Sequence, residues 1–176
     1  MDYNKIKILI LDCDGVFTDG RIIYDNHRVE AKNFCAKDGM GIKLLKTSGI
    51  KVAMITGRDS KVVAQRCQDL SFDYVYQGVW RKLPVAQTIM DELGYSWENV
   101  AYMGDDWNDY PVIKHAGLTA CPSDAFPDFK ETVDYVCTRK GGRGAIREFI
   151  EYLLKHQGRY QDVLAKLIEN LESTDI

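Results

Sequence analysis

The chain has 176 residues, of which 45% are hydrophobic and 28% charged, and its formal net charge is −3. That length suits one domain, the composition excludes a disordered chain, and the charge supplies no global basic field for nucleic acid. Five cysteines (Cys13, Cys35, Cys67, Cys121 and Cys137) form no CxxC pair, which argues against a disulfide framework or zinc site and for a reducing cytosol.

The first apolar run, Ile6 to Leu11, is interrupted by Lys7. It is too short to span a membrane and lacks a small-residue cleavage site, so it reads as a buried strand and the expected location is cytoplasmic. Residues 20–34 hold two extended runs around Asp25-Asn26-His27, a hairpin pattern that needs something to pack on. Met40, Leu44 and Leu45 share a helix face before Gly49. Ile50–Ile55 is the next strand, followed by a helix carrying Val62, Val63, Arg66 and Leu70. Tyr74–Tyr76, Val100–Met103 and Leu118–Cys121 are further short strands, and Leu83, Ile89, Met90 and Leu93 mark a helix before Gly94. Strands alternating with helices predict an α/β fold with a parallel sheet covered on both faces. Two amphipathic helical stripes close the chain. Ile146, Phe149, Ile150, Leu153 and Leu154 form one; Tyr160, Val163, Leu164, Leu167, Ile168 and Leu171 form the other, after Gly158. They read as core packing or as an arm for a partner subunit.

The chemistry-bearing residues fall at strand ends. Asp12 and Asp14 flank Cys13 after the first strand, where ligands of open α/β sheets collect. Two carboxylates about 4 Å apart repel by roughly 4 kcal/mol at an effective dielectric of 20, so one is protonated or a cation neutralises both. A plain turn at Asp14-Gly15 is the competing reading. Gly104-Asp105-Asp106-Trp107-Asn108-Asp109 follows a later strand; an N-cap explains one of its acids but not three, and oxygen ligands at two strand ends suit Mg²⁺. Thr56-Gly57-Arg58 opens a helix and can seat an anion, or is only a capped turn. Lys82 starts another helix, where a lone lysine is ordinarily solvated.

In that order, Asp12-x-Asp14-Gly15, Thr56-Gly57-Arg58, Lys82 and Gly104-Asp105-Asp106-x-x-Asp109 resemble the four motifs of the haloacid dehalogenase superfamily. With Thr18-Asp19-Gly20, Asp38-Gly39-x-Gly41, Tyr76-Gln77-Gly78 and Gly141-Gly142-Arg143-Gly144, the chain is similar to the 3-deoxy-D-manno-octulosonate 8-phosphate phosphatases over roughly residues 8–157. The resemblance implies a three-layer, Rossmann-like fold with the hairpin inserted after the first strand and no large cap domain. It implies a phosphatase domain over 1–157 and leaves 158–176 as a helical tail. Asp12 would be the nucleophile of an aspartyl-phosphate mechanism and Asp14 the general acid and base. Mg²⁺ would be held by Asp12, the backbone carbonyl of Asp14, and Asp105. Thr56 and Gly57 would hold the phosphoryl group, Lys82 would balance charge, and Asp106 and Asp109 would orient the metal shell and Lys82. Arg58, Arg66 and Arg143 are candidates for the substrate's anionic groups. The substrate expected is a sugar-acid phosphate with a carboxylate and several hydroxyls; the assembly expected is a homotetramer built through the hairpins, with the Gly-rich segment near Arg143 closing over a neighbouring site. No nucleic-acid or membrane partner is expected.

Three positions depart from the family pattern. Cys13 stands where an aliphatic residue is usual, Phe17 replaces Leu, and Phe126 stands where His is expected. Phe126 keeps nine-carbon keto-acid 9-phosphates open as substrates. A catalytically idle oligomerisation module is the second reading, but Asp12, Asp14, Lys82 and Asp105 are all present. A phospho-accepting receiver domain is the third; there the reactive Asp follows a middle strand, not the first.

Overall fold

The computed structural model describes residues 1–172; the last four residues of the expected tail lie outside the described residues. Among the described residues, eight strands and seven helices form, most of them in the alternation that the sequence pattern predicts. Six strands form one parallel sheet: β1 (Ile8–Leu11), β4 (Lys51–Ile55), β5 (Tyr74–Tyr76), β6 (Val100–Met103), β7 (Leu118–Cys121) and β8 (Tyr135–Val136). Their order across the sheet is β5-β4-β1-β6-β7-β8. The short β8 was not predicted; two residues carry no period.

Alternation along β1 explains why its apolar run is continuous. Leu9 and Leu11 enter one core and Ile8 and Ile10 the other. The first core is closed by α1 (Ala36–Thr47), α2 (Lys61–Asp69), α6 (Ala145–His156) and α7 (Tyr160–Glu172). The second is closed by α3 (Lys82–Leu93), α4 (Tyr110–Ile113) and α5 (Pro127–Lys130). The chain therefore leaves β1 toward β4 on one side and returns past it to β6 on the other. In such a sheet the crevice for ligands opens at that switch point, between the loops after β1 and β6.

One packing expectation is corrected. Met40 is half exposed; the buried face of α1 is Asp38, Gly39, Gly41, Ile42, Leu44 and Leu45, so two glycines and an acid occupy positions that hydropathy alone assigns to apolar side chains. Asp38 is fully buried because its carboxylate accepts the backbone N–H groups of Gly144 (3.0 Å) and Arg147 (2.9 Å), satisfying the free amides that open α6. The Gly-rich segment packs on its own chain. A β-carbon on Gly141 would stand 1.7 Å from the carbonyl oxygen of Gly15, and Gly142 N–H donates to Val16 O at 2.9 Å. The close approach these glycines permit is to the chain's own loop after β1. Of the closing stripes, α6 is core throughout, while α7 buries Val163 and Leu167 and leaves Ile168 and Leu171 exposed.

The hairpin forms where expected, from β2 (Ile23–Tyr24) and β3 (Glu30–Ala31). Asp25 shapes its turn: Oδ1 accepts the N–H groups of His27 (2.8 Å) and Val29 (2.7 Å), and Arg28 adopts the left-handed region at φ 62°.

Candidate active site

The parallel register sets Leu11 of β1 opposite Met103 of β6, so Asp12 and the segment Gly104-Asp105 leave the sheet side by side. Beyond Asp12 the chain winds through a tight turn, Cys13–Phe17, in which Cys13, Val16 and Phe17 are buried. Gly15 sits there at φ 92°, and a β-carbon on it would fall 2.0 Å from Asp105 Oδ2. Only glycine lets the two acidic loops approach this closely.

Asp12, Asp105 and Asp109 each offer a carboxylate oxygen, all within 4.8 Å of one another. Against them stands Lys82, whose Nζ lies 2.6 Å from Asp12 Oδ1 and 2.6 Å from Asp109 Oδ1, with its side chain 0% exposed. The lysine at the start of α3 is therefore an interior charge and not a solvated one. Burial opposes its charge, yet the carboxylates of Asp12 and Asp109 hold its pKa above the usual value. Asp109 has both oxygens engaged: Oδ1 also accepts Tyr102 Oη–H at 2.6 Å, and Oδ2 accepts the N–H of Asp105 at 3.0 Å. It is built to anchor Lys82. Asp12 and Asp105 are less fully compensated. Burial and then neighbouring carboxylates raise Asp12 to about 7 and Asp105 to about 8. One lysine does not balance three crowded carboxylates, and a hard divalent cation with oxygen preference fits that donor set.

Thr56, nearly buried, follows β4, and Ser60 caps α2 by accepting Val63 N–H. A cleft of about 240 Å³ is lined by Asp12, Asp14, Thr56, Gly57, Arg58, Trp80, Asp105, Asp106 and Asn108. Four loops that are distant in sequence thus open on one space. Asp106 lies at its exposed rim and caps its own turn, accepting Trp107 N–H at 2.7 Å.

Two of the three candidate arginines do not line this cleft. The guanidinium of Arg66 packs against Gly39 of α1, and its Nε has no hydrogen-bond partner among the described residues. Arg143 is largely exposed, with Nη2 3.9 Å from Asp19 Oδ2. Besides Phe126, the site contains residues that the sequence did not single out. Trp80 and Trp107 border an adjoining apolar cleft of about 730 Å³. Phe126 stands beside Trp107, ring centroids 6.5 Å apart. Tyr24, Glu30 and Lys32 of the hairpin reach the cleft's edge. Arg58 Nη2 contacts Tyr24 Oη and lies 3.2 Å from Glu30 Oε1, Ser60 Oγ–H donates to Glu30 Oε2, and Lys32 Nζ pairs with Asp14 Oδ1. Polar residues in a two-stranded insertion look like surface, and nothing in their spacing announces partners on distant loops.

The order of strands and the four strand-end loops define a class, the haloacid dehalogenase-like hydrolases, and a sequence model of that group matches residues 74–150. The chain is 43% identical over 164 residues to the 3-deoxy-D-manno-octulosonate 8-phosphate phosphatase of Escherichia coli (strain K12), covering 93% of this chain and 87% of that protein. Its fold is similar to the crystal structure of the Yersinia pestis phosphatase of the same name (TM-score 0.88, 40% identity, 90% of this chain and 86% of that one). It is also similar to the Moraxella catarrhalis enzyme solved in complex with a magnesium ion, a phosphate ion and a KDO molecule (TM-score 0.89, 36% identity, 94% and 97% covered). The chain belongs to the 3-deoxy-D-manno-octulosonate 8-phosphate phosphatase family and is a phosphoric monoester hydrolase.

Proposed function

We propose that the chain hydrolyses 3-deoxy-D-manno-octulosonate 8-phosphate with Mg²⁺, through a phosphoryl group carried on Asp12. The observation that supports this best is the pairing of Asp12 with Lys82 beside Asp105, in the same cleft as Asp14 and Thr56. A carboxylate facing a fixed cation stays available for attack on an anionic ester.

In this reading an Asp12 oxygen attacks phosphorus while the ester P–O bond breaks and its electron pair passes to the sugar oxygen. Asp14 gives that oxygen a proton. Asp14 then takes a proton from water, which attacks the same phosphorus, and the Asp12–phosphorus link breaks to release phosphate. Thr56 and the N–H of Gly57 hold the phosphoryl oxygens, and Lys82 neutralises charge on Asp12 and the transferring group. Mg²⁺ would be held by Asp12, the Asp14 carbonyl and Asp105, where it supplies charge neutralisation between nucleophile and phosphate. Asp109 fixes Lys82, and Asp106, at the rim of the cleft, would orient the metal shell. Arg58, which lines the cleft, and Arg143, exposed near Asp19, would take the sugar's anionic end. Arg66 has no part in this reading, because its guanidinium packs against α1. Residues 1–157 would carry the chemistry, with 158–176 as a tail. A cytoplasmic homotetramer would use the exposed hairpin residues Ile22, Tyr24 and Val29 as contact surface.

A phosphate-release screen over eight- and nine-carbon keto-sugar phosphates tests the substrate. The expected result is a preference for the eight-carbon 8-phosphate of roughly 10-fold or more in kcat/KM, given what a few pocket contacts discriminate. Release should stop in chelator and return with Mg²⁺. Preference for a nine-carbon 9-phosphate would replace the substrate, and release indifferent to chelation would remove the metal from the account.

A further inference from the structure

The hairpin's inward face carries a second set of charges that the reaction scheme leaves unused. The Lys32 side chain is 1% exposed, although it belongs to an insertion whose neighbours are mostly open to solvent. Its Nζ pairs with Asp14 Oδ1 and lies 3.7 Å from Glu30 Oε1. Glu30 in turn holds Arg58 and Ser60, so the hairpin is tied at one end to the loop after β1 and at the other to the loop after β4. A buried lysine needs its partners; here one of them is the residue assigned above as acid and base.

Asp14 has two oxygens in different situations. Oδ1 takes Lys32 and, at 3.3 Å, the hydroxyl of Thr18. Oδ2 accepts no hydrogen bond among the described residues and stands 3.7 Å from Arg58 Nε, on the cleft that Arg58 lines. A carboxylate whose one oxygen is fully engaged by an ammonium exchanges its proton at the other. We infer that Lys32 is a positioning residue for the reaction: by engaging Oδ1 it fixes the carboxylate of Asp14 so that Oδ2 faces the leaving-group oxygen. The proton moves from Asp14 Oδ2 to the departing oxygen as the P–O bond breaks, and returns to Oδ2 from water in the second half. The hairpin is thereby part of the active site of its own chain, whatever else it contacts.

This inference rests on the role proposed for Asp14, and the test separates the two. Lys32→Met and Lys32→Arg are compared with the unaltered enzyme on the eight-carbon sugar phosphate and on 4-nitrophenyl phosphate, with thermal melting alongside. No residue from 20 to 33 belongs to either hydrophobic core, so both variants should fold. For Lys32→Met the expected result is a fall in kcat of roughly 10²-fold on the sugar phosphate, as for a general acid lost from position, with KM within about 3-fold. On 4-nitrophenyl phosphate, whose leaving group departs without a proton, the fall should be smaller. Lys32→Arg should recover most of the rate, because a guanidinium can also engage Oδ1. A kcat for Lys32→Met equal to the unaltered enzyme's, or equal losses on both substrates with no recovery in Lys32→Arg, would overturn the inference. If Asp14→Asn turns over sugar phosphate at the unaltered rate, it is the assignment of Asp14 that fails.

Discussion

Replacing Asp12 with Asn is expected to abolish phosphate release while leaving the protein at least as stable as before in the absence of metal. Loss of a nucleophile should cost about 10⁴-fold or more in kcat, the scale seen when one member of a covalent catalytic set is removed. The stability half of the prediction follows from the crowding of carboxylates. Burial holds the Asp12 carboxyl at about 7, well above the ordinary carboxylate range, so its ionised form is disfavoured in the folded chain. A raised folded pKa contributes stability that is present below the unfolded value and is lost as pH rises through 7. Asn does not ionise, so at pH 8 in chelator the variant escapes that loss, and Lys82 retains Asp109 at 2.6 Å. Melting curves at pH 5 and pH 8, with chelator and with Mg²⁺, check this. The variant should melt no lower than the unaltered protein at pH 8 without metal and should gain less from Mg²⁺. A variant that turns over normally would dismiss Asp12 as nucleophile. One that melts far lower in chelator would mean that the ion pair with Lys82 outweighs carboxylate repulsion.

The second large effect is expected at Lys82. Changing it to Met removes a cation that touches both Asp12 and Asp109, and Asp109 is fully buried. Breaking a buried pair from one side costs about 3–5 kcal/mol, because the remaining charge has no compensation. For a domain of this size that corresponds to a fall in Tm of roughly 10 °C. The loss should be smaller in Mg²⁺, which replaces part of the missing positive charge. Catalysis should fall by about 10²-fold or more even under conditions where the variant is folded. Lys82→Met melting within a degree or two of the unaltered protein would show that Lys82 does not hold the cluster together.

The parts of this molecule that were legible in sequence are those in which local pattern and global position agree. Continuous β-rich runs such as Leu9–Leu11 and Val100–Met103 announce strands buried on both faces, and acids or a Thr-Gly just past them announce a crevice. Lys82 was recognisable only through its order among the other three motifs. By itself it reads as a surface residue, and only the structure shows it wedged between two carboxylates. What was illegible has a common cause: partners that lie far apart in sequence and obey no period. Asp38 sits in a helix whose acid marks it as surface, yet it caps α6 more than a hundred residues away. Arg66 looked like a ligand for an anion, whereas α2 directs it against the glycine face of α1. Lys32 and Glu30 carry no local mark of a role, and the fold carries them to Asp14 and Arg58. The short elements α4, α5 and β8 span too few residues for periodicity to register.

These contrasts also locate the specificity question. The phosphoryl end of the cleft is made of groups that any phosphate ester needs. In the proposed reading the sugar end would be bordered by Arg58, the hairpin and the apolar cleft between Trp80 and Trp107, with Phe126 beside it. Differences among eight- and nine-carbon substrates should therefore appear mainly in kcat/KM and leave the rate of the second half-reaction unchanged, because the phosphorylated Asp12 is the same in each case.

The proposed mechanism requires that covalent state on Asp12. Sugar phosphate bearing ³²P in its phosphoryl group, mixed with a stoichiometric amount of enzyme and Mg²⁺ and quenched in acid within milliseconds, should leave label on the protein. The label should be released by hydroxylamine, as for an acyl phosphate, and should be missing from the Asp12→Asn protein. Turnover in which no label is trapped at any quench time, or equal labelling of the Asp12→Asn protein, would contradict attack by Asp12.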